Sequence, residues 1–285
     1  MRIAYLIVAH RQPDQLERLL RAIHDPDNVY LLQLDSKAPR ELHARMSTFA
    51  ARQSNLALAP ARDIRWASWS LMDARLEGIE RLLAMGRPWD LLINLSGQCF
   101  PLRTQPQIRA ALDDQPGRNF VETFDPLTTW VDPYARVRRI RIEVPFRSTG
   151  YNLPRLRVDR WQRHLGDARY VGGSPYAGLT REFCEHLIRS PLLPRYRRCL
   201  RFAYRPDEVL LPTFIMNSPM KDSVVNRNFH RVDWRAGGSH PRTCTIDDAA
   251  ELLASEAFFA RKFDIDVDAP VVDLLESRLV ETRPR

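Results

Sequence analysis

No run of about 18 apolar residues occurs, so no membrane-spanning helix is expected. The opening Met1–His10 lacks a small-residue cleavage site and reads as a buried strand, not a signal peptide. The four cysteines, Cys99, Cys184, Cys199 and Cys244, form no CxxC pair, which argues against a disulfide framework or a zinc site. Free thiols in a reducing, cytoplasmic setting are expected instead. There is no GxGxxG, so the usual dinucleotide fingerprint is missing. There is no GxSxG elbow, which argues against that class of hydrolase. No internal repeat, helix-turn-helix spacing, RNP pattern or zinc finger is present, so no nucleic-acid partner is expected.

What is present is the composition of an ordinary globular chain of 285 residues, 44% hydrophobic and 27% charged, long enough for a full core. The net charge of +8 is uneven: Arg136 to Arg169 holds ten arginines against Glu143, Asp159 and Asp167. Such a stretch suits an anionic partner or forms a solvated basic surface.

The first half alternates between short apolar runs and helical spacing. Residues 2–9, 29–34, 56–58 and 90–95 read as strands; 13–24, 39–52 and 70–85 read as helices. Ser70 and Asp73 resemble a capping arrangement. This alternation predicts an α/β fold with a parallel sheet covered by helices and ligands beyond the strand C-termini. Residues 124–170 lose periodicity and read as an irregular region over the sheet. Helices are expected over 180–189, from Pro206, and over 246–254 and 270–280, with a strand at 229–234.

Several residues could carry chemistry. His10 and Asp35 end the first two strands, where nucleotides lie in such sheets. His10 is otherwise a structural histidine, and Asp35 a loop cap. Glu208 follows Arg205-Pro206-Asp207 and either complements a helix N-terminus or serves as a general base. Asp264, Asp266 and Asp268 alternate as metal-binding acids on one strand face would, or form the polar face of an edge strand. Lys262 and Arg242 are the competing diphosphate binders. Trp234 is either a sugar-stacking platform or a core residue.

Eight stretches, in order, resemble the core-2/I-branching N-acetylglucosaminyltransferases and the peptide O-xylosyltransferases of the same family. They are Ala4–His10, Leu19–Ile23, Leu34–Lys37, Trp66–Ser70, Ile93–Thr104, Gly173-Ser174, Pro206–Glu208 and Phe259–Asp268. The resemblance implies a GT-A-like, Rossmann-type mixed sheet flanked by helices, with residues 1–285 as one catalytic domain. Residues 1–120 would form its nucleotide-binding half and 121–285 its acceptor-binding and catalytic half. It further implies a UDP-sugar donor, a glycan or lipid-linked glycan acceptor, inversion to a β-linkage, and no metal requirement.

Transferred residue by residue, the resemblance makes Glu208 the base, and Arg242 and Lys262 the grip on the diphosphate. Val8, His10, Asp35 and Trp66 would line the uridine site. Glu122, Gly173, Ser174 and Trp234 would serve acceptor or sugar, and Asp264, Asp266 and Asp268 become structural acids. Eukaryotic members carry an anchor, a stem and disulfides; this chain is expected to be a soluble, bacterial-type domain. The Arg136–Arg169 stretch would touch the membrane face peripherally. Two positions depart from the pattern: Cys99 stands where the family has an acid after its Ser-Gly turn, and Pro175 where xylosyltransferases have one. Both bear on donor and acceptor identity.

Overall fold

The computed structural model describes residues 1–130, 134–144, 151–157, 159–235 and 240–282, with backbone alone at 135, 139 and 151–157. Along the chain run β1 (Ile3–Ala9), α1 (Pro13–Ala22), β2 (Val29–Leu34), α2 (Arg40–Ala51), β3 (Leu56–Leu58), α3 (Trp69–Ala84), β4 (Leu91–Ser96), β5 (Phe100–Pro101) and α4 (Gln105–Asp113). Then follow β6 (Asn119–Phe124), α5 (Pro126–Thr129), α6 (Ala135–Arg138), β7 (Arg139–Ile142), β8 (Tyr151–Arg157), α7 (Arg160–Leu165), β9 (Gly172–Thr180), α8 (Arg181–Arg189) and α9 (Leu193–Leu200). The last elements are α10 (Leu210–Met216), β10 (Val224–Val225), β11 (His230–Val232), α11 (Ala249–Ala254), β12 (Phe259–Arg261) and α12 (Pro270–Glu281).

Seven strands make the main sheet in the order β10-β6-β9-β4-β1-β2-β3. β1 to β4 run parallel, while β9 lies antiparallel to both β4 and β6. The sheet is therefore mixed, not wholly parallel as the alternation alone predicted. The reversed strand comes from the second half, where no alternating pattern announces it.

Both faces are covered. Ile3, Tyr5 and Ile7 of β1 pack with α1, α2, α4 and α12 residues, whereas Ala4 and Leu6 pack with α3, α8 and α10 residues. A strand buried on both faces must be apolar at every position, which is why 2–9 shows no alternation. Helix α3 approaches β1 so closely that a Cβ on Gly78 would lie 2.5 Å from Leu6 Cδ1.

The capping arrangement read from Ser70 and Asp73 does not form. Ser68 is the N-cap, Ser70 Oγ accepts from Arg65 N, and Asp73 pairs with Arg62 and Arg197. The carboxylate that serves this helix end is Glu143, which accepts from Ser70 N at 3.0 Å and from Arg65 Nη1 at 2.6 Å. A negative group there is favoured by the helix dipole.

Where β4 and β9 stop pairing through the main chain, Asn94 takes over. Its Nδ2 donates to Pro175 O at 2.9 Å and its Oδ1 accepts from Ala177 N at 2.8 Å. Proline removes one ladder donor from a central strand, and this side chain supplies the missing link.

Candidate active site

The parallel strands β1, β2 and β4 end together, and the loops beyond them lie side by side. Asp35 N donates to Ala9 O at 3.0 Å, and Gly97 N to Val8 O at 3.0 Å. Val8 is thereby fixed at the rim, half-buried between β2 and β4. Asp35 is buried and accepts from Lys37 N at 3.0 Å and Lys37 Nζ at 2.8 Å. That ammonium also reaches Asp63 Oδ1 at 2.5 Å and Ile64 O at 2.8 Å. Lys37 therefore braces the loop that carries Trp66, and Asp35 does the loop-capping work allowed for it.

His10 is exposed just beyond the end of β1. Desolvation by surrounding protein, then the Arg11 charge, lower its pKa, with Lys262 adding and Asp35 opposing. Its imidazole is thus favoured in the neutral form.

Lys262 follows β12, and its turn is tied to both neighbouring elements. Phe263 N donates to Gln98 O at 2.9 Å, and Gln15 Nε2 bridges Gly97 O and Phe263 O at 2.9 and 3.2 Å. Among the described residues, Lys262 Nζ has no hydrogen-bond or ion-pair partner. Partial burial and then Arg11 lower its pKa, against Asp264. A cation held so is ready for an anion from outside the protein.

The three acids lie on a turn, not on a strand, because β12 ends at Arg261. Asp264 accepts from Arg11 Nη2 at 2.5 Å and from Gln12 Nε2; Asp266 Oδ2 takes the same amide at 3.0 Å. Asp268 caps two backbone N–H groups, Ile246 and Val271, each at 3.0 Å. Among the described residues no group of three or more His, Cys, Asp or Glu side chains converges. The acids are consumed by protein donors.

Arg242 stands differently from Lys262. Its Nε donates to Asp233 Oδ2 at 2.8 Å, its Nη2 bonds Asp248, and its Nη1 reaches Thr243 O at 3.4 Å. Cys244 N donates to Lys262 O at 2.8 Å, so the loop bearing Arg242 abuts the Lys262 turn. Trp234, in that loop, is 48% exposed and so is no core residue.

Glu208 lies on a short 3-10 turn, Pro206–Glu208, which precedes α10 instead of opening it. Arg136 Nε and Nη2 donate to its Oε2 at 3.0 and 2.7 Å, and Arg205 Nη1 to its Oε1 at 2.8 Å. Asp207 is held by Arg75 from α3 at 3.2 Å. Arg205 lies 4.9 Å from the Trp66 ring, which meets the His240 ring at 4.6 Å with the planes tilted by 36°. Burial and then Lys262 lower the His240 pKa. His10, Asp35, Trp66, Lys262 and Glu208 therefore share one neighbourhood.

Glu122 and Gly173 meet at a bulge between β6 and β9, where a Cβ on Gly173 would fall 2.0 Å from Glu122 O. Only glycine fits there. The Glu122 carboxylate accepts from Asn228 Nδ2, and Ser174 Oγ accepts from Tyr176 N at 3.1 Å. Beyond them Tyr176 stacks on His230 at 4.2 Å. Burial, then Arg261 and Arg75, push His230 down to about 3, which keeps it neutral.

Cys99 is wholly buried, its Sγ 3.3 Å from Ser96 Oγ. An acid there would be desolvated, so the departure from the pattern fits the packing. The arginine-rich stretch is not one open patch. Arg141 and Arg160 are buried, donating to Ser68 Oγ, Val137 O and Cys199 O, and Arg136 serves Glu208. Arg163 and Arg169 are exposed. The side chains of Arg139, Arg147, Arg155 and Arg157 lie outside the described residues.

Arg136, Arg205, Tyr204 and His240 were not singled out from the sequence. Arg205 had one signal, its place before Pro206-Asp207-Glu208; Arg136 was read only as the start of the arginine-rich stretch, and nothing along the chain placed it beside Glu208.

Beside the parallel ends of the mixed sheet, the turn after β12 thus holds a lysine with no partner among the described residues, and the turn before α10 holds a carboxylate clamped by two arginines. The chain belongs to the Core-2/I-Branching enzyme family, whose model matches residues 3–256. This is a family of glycosyltransferases, and its membership agrees with the GT-A-like sheet expected. Among curated relatives, it is 29% identical over 98% of its length to beta-1,3-galactosyl-O-glycosyl-glycoprotein beta-1,6-N-acetylglucosaminyltransferase 4 of Mus musculus, and covers 66% of that protein. It is 28% identical over its full length to xylosyltransferase 2 of Canis lupus familiaris, of which it covers 34%. The chain thus spans about two thirds of the first relative and about a third of the second. Among solved structures, mouse xyloside xylosyltransferase 1 in its apo form aligns over 91% of this chain and 97% of its own, at 12% identity and a TM-score of 0.43.

Proposed function

We propose that this protein is an inverting, metal-independent glycosyltransferase. It moves N-acetylglucosamine or xylose from a UDP-sugar to a hydroxyl of a glycan or lipid-linked glycan, forming a β-linkage. The observation that carries this reading is the placement of Lys262 and Glu208. A cation with no partner among the described residues lies in the same neighbourhood as a carboxylate whose orientation is fixed from two sides.

In a single displacement, the acceptor oxygen bonds to the anomeric carbon as the bond to the β-phosphate oxygen breaks. Glu208 takes the hydroxyl proton, and UDP leaves with its negative charge offset by Lys262. Arg242 assists once part of its guanidinium turns from Asp233 or Asp248. Val8, His10, Asp35 and Trp66 bound the nucleoside, with Trp66 offering a ring face. Glu122, Gly173, Ser174 and Trp234 lie on the acceptor side. Support for metal independence comes from the commitment of Asp264, Asp266 and Asp268 to protein donors.

A cytoplasmic location goes with this reading. Exposed Arg163 and Arg169 would meet an anionic acceptor or lipid headgroups. Association with anionic vesicles that ignores added salt would count against that contact.

The direct test is Glu208→Gln. Transfer is expected to fall by about 100- to 10,000-fold while UDP binding, followed by calorimetry, stays within about twofold. Full activity in this variant would remove Glu208 from the reaction.

A further inference from the structure

Glu208 is held in a way that singles out one of its oxygens. Each carboxylate oxygen has two lone pairs in the plane of the group. Oε2 accepts both Arg136 Nε and Arg136 Nη2, at 3.0 and 2.7 Å, and is filled. Oε1 accepts only Arg205 Nη1, at 2.8 Å, so among the described residues it keeps one lone pair.

We propose that Arg136 and Arg205 are positioning residues for the base, and that the lone pair left on Oε1 receives the acceptor proton. This rests on Glu208 being the base. Neither arginine touches the reacting atoms; each acts through the carboxylate.

Both guanidinium groups are themselves pinned. Arg136 lies 3.7 Å over the Trp130 ring, and its carbonyl accepts from Tyr204 N at 3.0 Å. A guanidinium stacked on an aromatic face keeps its forked donor edge free for a carboxylate. Arg205 is left-handed, with a φ of 51; among the described residues Gln12 (φ 55) and Ala67 (φ 59) are the other non-glycine cases. Arg205 N donates to Ala67 O at 2.9 Å, so two left-handed residues hold each other. Non-glycine residues persist in that region where their surroundings over-determine them, and such places cluster at functional sites.

The clamp also joins separate parts of the chain. Arg136 comes from the stretch above the sheet, Arg205 from the base turn, and Ala67 from the loop that carries Trp66. Arg205 faces Tyr204 at 5.5 Å as well as Trp66, and so bridges the nucleoside loop and the base. Any shift of the Trp66 loop is passed to Oε1 through one residue.

The test compares Arg136→Met and Arg205→Met, each alone and combined with Glu208→Gln, with Arg136→Lys and Arg205→Lys as conservative partners. Turnover of UDP-N-acetylglucosamine and UDP-xylose is followed with a galactoside acceptor and with water. Each Met variant is expected to lower kcat by about 10- to 100-fold, since a base displaced by about 1 Å loses that much. The donor KM and the UDP dissociation constant should stay within about twofold, and in the Glu208→Gln background neither substitution should lower the residual rate further. The Lys variants should recover part of the loss, and they keep the test open where a Met variant fails to fold.

An unchanged kcat in both Met variants would overturn the clamp, as would a full loss added on top of Glu208→Gln. Turnover by the wild type that Glu208→Gln leaves intact would instead remove the base assignment. Absence of turnover of either sugar by the wild type would remove the catalytic reading and the clamp with it.

Discussion

The loop around Arg242 and the turn around Lys262 touch through one backbone hydrogen bond, yet their cations are in opposite circumstances. Arg242 shares its donors among Asp233, Asp248 and Thr243 O, and Arg235 adds a second guanidinium on Asp233. Those pairs hold the Asp233 carboxyl well below the usual carboxylate range, with Arg235 the larger cause and Arg242 a smaller one. Among the described residues Lys262 has no such partner, and its surroundings disfavour its charge. A cation paired inside the protein stabilises the fold; one left without a partner offers its charge to a ligand. The two residues chosen from the sequence for one task are thus set apart by their neighbours.

The largest way to break this contrast is to remove each cation in turn. Lys262→Met is expected to lower kcat/KM for the nucleotide sugar by about 100- to 1000-fold, the scale of losing one donor to developing charge. Arg242→Met should cost less than about 10-fold. A reversed order in steady-state kinetics would show that Arg242 leaves its acids when the donor binds and takes the larger share.

Stability should show the mirror image. Arg242→Met leaves Asp233 and Asp248 short of a partner and is expected to cost about 1 kcal/mol in urea unfolding at pH 7. Because the folded-state pKa of Asp233 is depressed, its contribution is complete above the ordinary carboxylate range. It is lost as pH falls through the folded value. The gap between wild type and variant should therefore narrow in strong acid. Lys262→Met should leave the urea midpoint unchanged or raise it.

Titration sharpens the comparison further. The Lys262 pKa is lowered, so the charged form is lost at a lower pH than an ordinary lysine near about 10.4. UDP affinity should be constant around neutrality and weaken as pH rises through that lowered value. Affinity that stays flat to about pH 10.5 in calorimetry would place the binding charge on an arginine.

The smallest effect concerns the acids beside Lys262. Asp264→Asn should lower the melting temperature by a few degrees, about 1 kcal/mol, through its contacts with Arg11 and Gln12. Activity should be the same in EDTA before and after that substitution. Loss in EDTA with recovery on adding manganese would return these acids to a metal site.

Much of the first half was legible because a strand buried on two faces and helices covering a sheet leave short-range patterns. Residues 3–9, 29–34 and 91–96 form strands close to where their apolar runs lie, and α1, α2 and α3 follow the helical spacing. The stretch over 124–170 was legible only as irregular; it contains α5, α6, α7 and the β7–β8 pair. Its helices are four to six residues long, too short to display a period. The alternating acids at 264–268 were misleading, since a tight turn and a strand can carry the same spacing of carboxylates.

By itself the sequence determined the alternation of elements, the eight family stretches and the identity of Glu208, Lys262 and Asp35 as chemically capable residues. Those depend on residue type and near neighbours along the chain. Tertiary structure alone decided that β9 reverses the sheet, that Arg136 meets Glu208 across 72 residues, and that Arg242 is spent while Lys262 is not. Partnership between charges depends on distance in space, and no pattern along the chain records which carboxylate a given arginine will reach.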